Sequence, residues 1–409
     1  SYGYPMGLAD YSAFILGGLP KQGQTLEEVK DLLLNEIKKL RAGEFDEKML
    51  QANINNFKLY ELQSMESNEG RADIFVNSFI NGTNWEDEVT AIDRMAKLTK
   101  EDIVAFADKY LKEDNYAVVY KKQGKDPNEK KMTKPEITPI VSNRDVASPF
   151  LTSIQENAVK PIEPVFLDFK KDMSQLTAKS DIPVLYKQNT TNDLFQLIYV
   201  FDMGNNNDKA LGTAFDYLEY LGTSDMTPEE LKSEFYRLAC TFYVSPGNER
   251  TYVVLSGLNE NMPAAMQLFE KLLADAQVNK EAYDNLVGDI LKARADAKLN
   301  QGQNFSRLMN YAMYGPKSPA TNLLTEAELA SMNPQELVDR IHNQNNYKHR
   351  ILYYGPSSSK DLLATIEQYH QVPATLKDIP AGNEYSYLET PATKVLVAPY
   401  EAKQIYICL

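Results

Sequence analysis

The chain alternates between segments in which apolar residues recur every three or four positions and short runs that are apolar throughout. Residues 11–19, YSAFILGGL, predict a strand that ends at glycines. A capping box at Thr25 and Glu28 predicts the start of a helix, which Gly43 ends. The apolar stripe of this helix consists of Leu26, Val29, Leu33, Ile37 and Leu40. Further helices are predicted over 46–66, over 72–80 and from Thr99 onwards, and residues 115–122 predict a closing strand.

The periodicity stops after residue 122. Residues 122–150 are rich in Lys, Pro, Asn and Ser, which is typical of a linker, and we extend this linker to residue 181. The basic run over 122–134 is predicted to be a solvated connector. The later stretch PIEPVFLDFKKDM predicts an ordered strap against a domain surface, because it carries Ile162, Val165, Phe166, Leu167 and Phe169.

Regular patterns return at residue 182. Residues 182–186 and 194–201 predict paired strands, and the elements that follow repeat the order of the first unit. VVLSGL resembles FILGGL, NKEAYDNLVGDILKARADAK resembles DEKMLQANINNFKLYELQSM, MNPQELVDRI resembles LTKEDIVAFA, and RILYYGP resembles AVVYKKQG, all at an offset of about 233 to 239 residues. A period of this length indicates a duplicated domain, not a solenoid.

A further copy is predicted at the end of the chain, where KVLVAPYEAKQIYICL resembles PVLYKQNTTNDLFQLIYVF. The predicted fold class is therefore α+β, with repeated domains that each hold a mainly antiparallel sheet packed by helices. We assign residues 1–122 to the latter part of one repeat domain, 123–181 to the linker, 182–376 to a complete repeat and 377–409 to the start of another. We expect this chain to be truncated at both ends.

Composition narrows the possible functions. The 409 residues carry 43 Lys and Arg against 57 Asp and Glu, and the net charge of −14 argues against a nucleic-acid partner. Cys240 and Cys408, the only two cysteines, are predicted to be buried thiols. No apolar run reaches the roughly 20 residues of a membrane span, and the first residues lack the pattern of a secretory signal.

Duplicated α+β domains of this size, with Gly222-Thr223 after a helix and a linker between halves, resemble the insulinase/pitrilysin-type zinc metallopeptidases. The resemblance implies a LuxS/processing-peptidase-like fold in which four domains, in two halves, enclose a chamber for unfolded peptides. It also implies that the zinc site lies in a first domain. This chain would then comprise the end of the second domain, the inter-half linker, an inactive third domain and the start of the fourth.

The family's zinc site requires the motif H-x-x-E-H, and this sequence departs from it. By internal spacing the pentad is 216–220, where Asp216, Glu219 and Tyr220 stand at the motif positions; by distance from Gly222 it is 213–217, beginning at Thr213. Neither pentad contains histidine, and no glutamate lies near 292–294, where a third ligand is expected. Asp216 and Glu219 could share a cation, but a solvated face is favoured. We predict a packing helix, with Phe215, Leu218 and Leu221 as its core stripe.

Other candidate sites are weaker. His342 and His349 are predicted to be an ordinary surface pair, and His370 is the only other histidine. A Ser-His-Asp arrangement stays open, but there is no G-x-S-x-G motif, and Ser256-Gly257 ends a repeated strand. No nucleotide-binding glycine motif is present. Tyrosine is frequent, at 25 residues, with clusters at 217–220, 353–354 and 385–387. Most are predicted to fill boundaries between helices and sheet; alternatively, some line a peptide chamber.

The resemblance implies a non-catalytic, chamber-forming and peptide-binding part of a zinc metalloendopeptidase. No catalytic, cofactor or metal residue is predicted in this segment, and zinc is expected only in the absent catalytic domain. The predicted partners are that domain or a separate catalytic subunit, and unfolded peptides. The acidic charge favours a soluble surface over a chamber that selects basic peptides, and the family suggests the bacterial periplasm or cell envelope. The alternatives are a catalytically dead scaffold subunit and a protease activated by a partner.

Overall fold

The computed structural model describes residues 1–8, 10–21, 23–125, 132–140, 142 and 144–408. The first unit begins with an antiparallel pair, β1 (Tyr2–Gly7) and β2 (Ser12–Gly17). Its helices are α1 (Leu26–Ala42), α2 (Lys48–Ser64), α3 (Asn68–Asn81), α4 (Trp85–Val89), α5 (Ala91–Met95) and α6 (Lys100–Tyr110). The helix α7 (Pro149–Gln155) lies within the predicted linker, part of which falls outside the described residues.

The second unit is built on a six-stranded sheet in the order β3-β4-β8-β5-β7-β6. The strands are β3 (Ser174–Ala178), β4 (Ile182–Gln188), β5 (Leu194–Phe201), β6 (Cys240–Pro246), β7 (Thr251–Leu258) and β8 (Arg350–Gly355). Only β4 and β8 are parallel neighbours. The helices are α8 (Leu211–Leu218), α9 (Pro228–Arg237), α10 (Met262–Asp275), α11 (Lys280–Ala297), α12 (Gln301–Tyr314), α13 (Glu326–Ser331), α14 (Gln335–Asn343) and α15 (Ser359–Tyr369). The predicted α+β class, with a mainly antiparallel sheet and helices, is confirmed.

The main core lies between one face of this sheet and its helices. Side chains alternate across a strand, so Phe195, Leu197, Tyr199 and Phe201 of β5 all point into the core and are at most 2% exposed. The helix α10 covers this face with its own apolar stripe, Met262, Ala265, Met266, Phe269 and Leu273.

The local signals that predicted the helices are present in the structure. Thr25 and Glu28 form the capping box of α1, and Gly43 ends that helix in the left-handed conformation. Thr99 and Asp102 cap α6 in the same way. These contacts satisfy backbone groups that the first and last helical turns leave without partners.

The two units meet where α2 crosses the end of α9. Asn56 is buried and donates to the carbonyl oxygens of Ala52 and Tyr236, at 2.8 and 2.6 Å. Asn55 donates to the Arg237 carbonyl at 3.3 Å. A small apolar cluster lies beside these contacts and consists of Leu59, Leu62, Leu194, Ala239 and Leu258. The asparagines of α2 therefore cap the carbonyl end of a helix in the other unit.

Several predicted strands differ from the structure. Residues 182–188 and 194–201 are both strands, but they do not pair with each other, because β8 lies between them and pairs with both. Residues 115–122 contain no strand, and Val119 is 92% exposed. Residues 377–408 also contain no helix or strand, although the repeat predicted strands there. The offset repeat is therefore matched for β2 and β7, α2 and α11, and α6 and α14, but not for β8.

The predicted strap is wrong in its packing. Ile162, Val165 and Phe166 are 85 to 95% exposed, so this stretch does not lie against a domain surface. Strand β3 lies within the range assigned to the linker and joins the sheet through β4. The remaining domain limits, including those at 122 and 376, stay predictions.

Candidate functional site

The stretch AFDYLEYLGT forms the end of α8 and the turn after it. Phe215, Leu218 and Leu221 are each at most 3% exposed, which confirms the predicted core stripe. Tyr217 is also fully buried, and its hydroxyl donates to the carbonyl oxygen of Asn279 at 2.6 Å and accepts from the Asn279 amide at 2.8 Å. This helix is held in place on several sides by packing and by a hydrogen-bonded phenol.

The residues at the zinc-motif positions do not fit zinc. Asp216 and Glu219 are exposed, while Tyr217 and Leu218 between them are committed to the core. Partial desolvation raises the pKa of the Asp216 carboxyl, and the neighbouring Glu219 charge adds to the rise. Where the resemblance implies a third ligand, Lys292 pairs with Asp296 at 2.9 Å on the surface of α11. Asp216 and Glu219 therefore lie on an exposed turn of α8, and the 213–217 register contains only the first of these carboxylates.

The histidines correct one prediction. His342 is half-buried, with Nε2 3.1 Å from the Ala276 carbonyl oxygen. His349, predicted to lie on the surface, is only 7% exposed, because it sits between the 3-10 turn at 344–346 and β8 and packs on Phe201 at 4.6 Å between ring centroids. His370, which ends α15, is completely buried.

His349 and His370 belong to a buried polar cluster around Glu270 of α10. The Glu270 carboxylate is 1% exposed, and each of its oxygens accepts two hydrogen bonds. Oε1 accepts from the Tyr199 hydroxyl at 2.8 Å and from His370 Nδ1 at 2.7 Å. Oε2 accepts from Asn345 Nδ2 and from the Gln371 amide, both at 3.0 Å. Beyond His370, the Nε2 atoms of His370 and His349 are 2.9 Å apart.

We call Glu270, His370, His349, Tyr199 and Asn345 the Glu–His cluster. Burial raises the pKa of the Tyr199 hydroxyl well above its ordinary value, and the Glu270 charge raises it further, so this phenol stays protonated and donates. Burial, together with the His370 charge, lowers the pKa of His349 to about 4. The sequence did not predict this cluster, because its members are up to 171 residues apart. A signal was present, since Glu270 interrupts the apolar face of α10 between Met266 and Leu273.

A second candidate is a cleft of about 480 Å³ between α2 of the first unit and β6, α8 and α9 of the second. Its lining is mostly apolar and aromatic, and Glu219 and Lys232 supply the charges. The aromatic residues are Tyr60, Phe215, Phe235, Tyr236, Phe242 and Tyr243. Apolar walls with a few polar groups are typical of binding clefts.

Strand β6 runs along this cleft and is an edge of the sheet. Among the described residues it pairs only with β7. The hairpin closes with the Gly247 amide bonded to the Arg250 carbonyl at 2.7 Å, and hydrogen-bonded pairs alternate along an antiparallel ladder. The backbone groups of Phe242 and Val244 therefore point outward from the sheet. They offer N–H and C=O groups to an added strand.

The tyrosine clusters divide between core and surface. Tyr353 and Tyr217 are buried, as predicted for boundary fillers. The sheet face opposite the helices carries Tyr243, Tyr252 and Tyr354 on β6, β7 and β8, and these side chains are 38 to 50% exposed. This face is therefore partly aromatic where it is open to solvent.

The remaining candidate residues have structural roles. Cys240 is buried as predicted, and desolvation raises the pKa of its thiol to about 12, whereas Cys408 is exposed and that prediction is wrong. Gly257 has a φ of 150° and lies against the Ala239 and Cys240 backbone. No described helix combines the length and apolar character that a membrane span requires.

No protein-family model and no curated protein matches this chain. Several solved structures are similar to it. A peptidase M16 inactive domain from Pseudomonas fluorescens is 16% identical, with a TM-score of 0.45 over 52% of this chain and 54% of that one. The periplasmic protease PqqL from Escherichia coli is 14% identical, with a TM-score of 0.47 over 90% and 41%. The ferredoxin protease FusC, solved with Arabidopsis ferredoxin, is 10% identical, with a TM-score of 0.47 over 86% and 42%.

These structural relatives are peptidases of the kind that the sequence resembled, and they include a peptidase M16 inactive domain. The chain spans about half or less of the length of each. At this level of identity and TM-score, the similarity carries no argument about activity.

Proposed function

We propose that this chain is a non-catalytic, peptide-binding part of an insulinase/pitrilysin-type zinc metallopeptidase. The observation that supports the proposal is the coincidence of an unpaired edge strand with an apolar cleft. A peptide that extends the sheet at β6 would bond to the outward backbone groups of Phe242 and Val244. Backbone hydrogen bonds can form with an extended peptide of any sequence. The apolar cleft would bind the apolar side chains on one face of that peptide.

The open sheet face supports the same role. Tyr243, Tyr252 and Tyr354 present rings and hydroxyls on the open face of the sheet, each from a different strand. Tyrosine contributes a large contact area with little loss of conformational freedom, and so it suits contact with varied sequences. In this proposal the face forms part of a chamber wall, and cleavage takes place at a zinc site in another domain.

The proposal is tested by the binding of a fluorescently labelled, proline-free peptide, roughly eight residues long, with alternating apolar residues. The Val244→Pro variant removes one outward N–H that the β6–β7 ladder does not use, so the hairpin can still form. We expect peptide binding, measured by fluorescence anisotropy, to weaken about tenfold, because one hydrogen bond is lost and the ring blocks the edge.

The matched control is Val244→Ala, which shortens the same side chain and keeps the N–H. It should bind the peptide within about twofold of the parent chain. Equal loss in both variants would show that the side chain matters and the backbone edge does not. Parent-like binding in both would remove β6 from the proposed site.

A further inference from the structure

The orientation of the Glu–His cluster restricts where its protons can lie. His349 Nδ1 is 2.7 Å from the Tyr347 carbonyl oxygen, which can only accept, so this nitrogen carries a hydrogen. A neutral His349 then has a lone pair on Nε2. That lone pair points at His370 Nε2, 2.9 Å away, so His370 Nε2 must carry a hydrogen.

The other nitrogen of His370 faces a carboxylate. Nδ1 lies 2.7 Å from Glu270 Oε1, and one hydrogen must lie between them. Three contacts each need one hydrogen: His349 Nδ1 to the Tyr347 carbonyl, Nε2 to Nε2 between the rings, and His370 Nδ1 to Glu270. Two neutral imidazoles supply two hydrogens, and an ionised carboxylate supplies none. If both rings were neutral, either two lone pairs would face each other at 2.9 Å, or the carboxyl would have to hold the extra proton. A proton placed on His349 instead would put the positive charge on the ring that does not contact the Glu270 carboxylate.

The surroundings of Glu270 favour a carboxylate. Besides His370, it accepts from the Tyr199 hydroxyl, the Asn345 amide and the Gln371 backbone N–H. Three such donors stabilise the negative charge, whereas a protonated carboxyl would turn one oxygen into a donor. We infer that His370 is a buried imidazolium, held between the Glu270 carboxylate and a neutral His349, and that this proton latches the end of α15 to the domain.

The latch connects four elements. Glu270 is on α10, Tyr199 on β5, His349 immediately before β8, and His370 at the end of α15. The Gln371 amide, which bonds to Glu270, begins the segment that leaves α15 and bridges to Tyr347 through Lys377. Loss of the His349–His370 bond would therefore loosen the start of this segment first.

Acid is the expected trigger. When His349 gains a proton, both Nε2 atoms carry hydrogens and the contact at 2.9 Å becomes repulsive. The titratable groups facing His349 are His370, Glu270 and Tyr199. The charged neighbours in sequence are engaged elsewhere, Lys348 with Asp378 and Arg350 with Asp202.

Nitrogen-15 NMR of the histidine rings in the parent chain tests the protonation state directly. The chain has three histidines, so the signals can be assigned with single substitutions. At pH 7 we expect His370 to be protonated on both nitrogens and His349 on Nδ1 alone. A neutral His370 ring at pH 7 would overturn the inference, whatever the behaviour of any variant.

Hydrogen exchange at the Gln371 amide tests the latch. Its protection factor should fall roughly tenfold or more as the pH drops from 6.5 to 4 in the parent chain. In His349→Gln the fall should disappear, because the glutamine oxygen accepts from His370 and does not titrate. His342→Gln should behave like the parent. An equally steep fall in His349→Gln would show that another group releases the segment.

Discussion

At the scale of single residues, the carboxylates of this chain occupy two different environments. Asp216 and Glu219, which stand at the positions of a metal motif, lie in solvent, whereas Glu270 and His370 lie in the core with every hydrogen bond used. The sequence allowed prediction of the first pair's exposure from helical spacing. It could not predict the second pair, because α10 and the end of α15 meet only in the folded domain.

The His349 ring makes stability depend on pH. Its pKa is lowered from 6.5 to about 4, so the unfolded chain binds the proton more readily than the folded chain. Stability should therefore be greatest above pH 6.5 and should fall by about 3 kcal/mol between pH 6.5 and 4. Urea unfolding measured across this range checks the slope. His349→Gln should flatten it, and an unchanged slope in that variant would assign the effect to carboxylates.

Asn56, which is buried, donates a hydrogen bond across the joint between the units. Asn56→Ala removes the donor to the Tyr236 carbonyl, a contact of 2.6 Å that is partly buried. We expect a loss of about 1–2 kcal/mol in the free energy of unfolding, measured with urea. Asn55→Ala, which removes only the 3.3 Å contact with the Arg237 carbonyl, should cost about 0.5 kcal/mol or less. Equal losses would mean that the joint does not rely on burial.

At the scale of elements, helices and strands differ in how far local sequence determines them. The capping residues Thr25 and Thr99 sit beside the helices they start, so α1 and α6 were predictable. The pairing of β4 with β8 depends on residues far apart along the chain, and no local pattern shows that β8 separates β4 from β5. Residues 115–122 have the local pattern of a strand, but they form none, because no neighbouring strand pairs with them.

Two glycines in regular elements should respond oppositely to alanine. Gly257 of β7 has a φ of 150°, and an added Cβ would lie 2.4 Å from the Ala239 carbonyl oxygen, so Gly257→Ala should destabilise the chain by about 2 kcal/mol or more. Gly288 is inside α11, where an added Cβ meets nothing within 4 Å, so Gly288→Ala should stabilise by about 0.5–1 kcal/mol. Thermal unfolding measures both; a destabilising Gly288→Ala would contradict the helix geometry.

At the scale of the whole molecule, two units with different sheets share one cleft. The second unit has six strands and a continuous core, while the first has a two-stranded sheet among the described residues. The cleft is lined from both sides, with Tyr60 from α2 and Phe242 from β6. Peptide binding at this cleft would therefore depend on the joint at Asn56 as well as on β6.

The chain on its own should not hydrolyse peptides. Neither pentad in the AFDYLEYLGT region contains a histidine. In the 216–220 pentad, Tyr217 and Leu218 are buried in the core. A quenched fluorescent peptide, with added zinc and with chelator, measures turnover, and elemental analysis measures bound metal. We expect no turnover and less than one zinc per chain. Chelator-sensitive turnover that Asp216→Asn and Glu219→Gln abolish would contradict the proposed function.

The parallel pairing of β4 with β8 also bears on how this domain folds. Val184 lies beside Ile351, a partner 167 residues later in the chain. Ribosomes add about 5–20 residues per second, so roughly 8–30 s pass between the synthesis of β4 and the synthesis of β8, its parallel neighbour. During that interval β4 and β5 expose apolar strands with unpaired edges, and closing so long a loop slows folding further. Chaperone dependence during synthesis should therefore centre on residues 182–201 until β8 has been made.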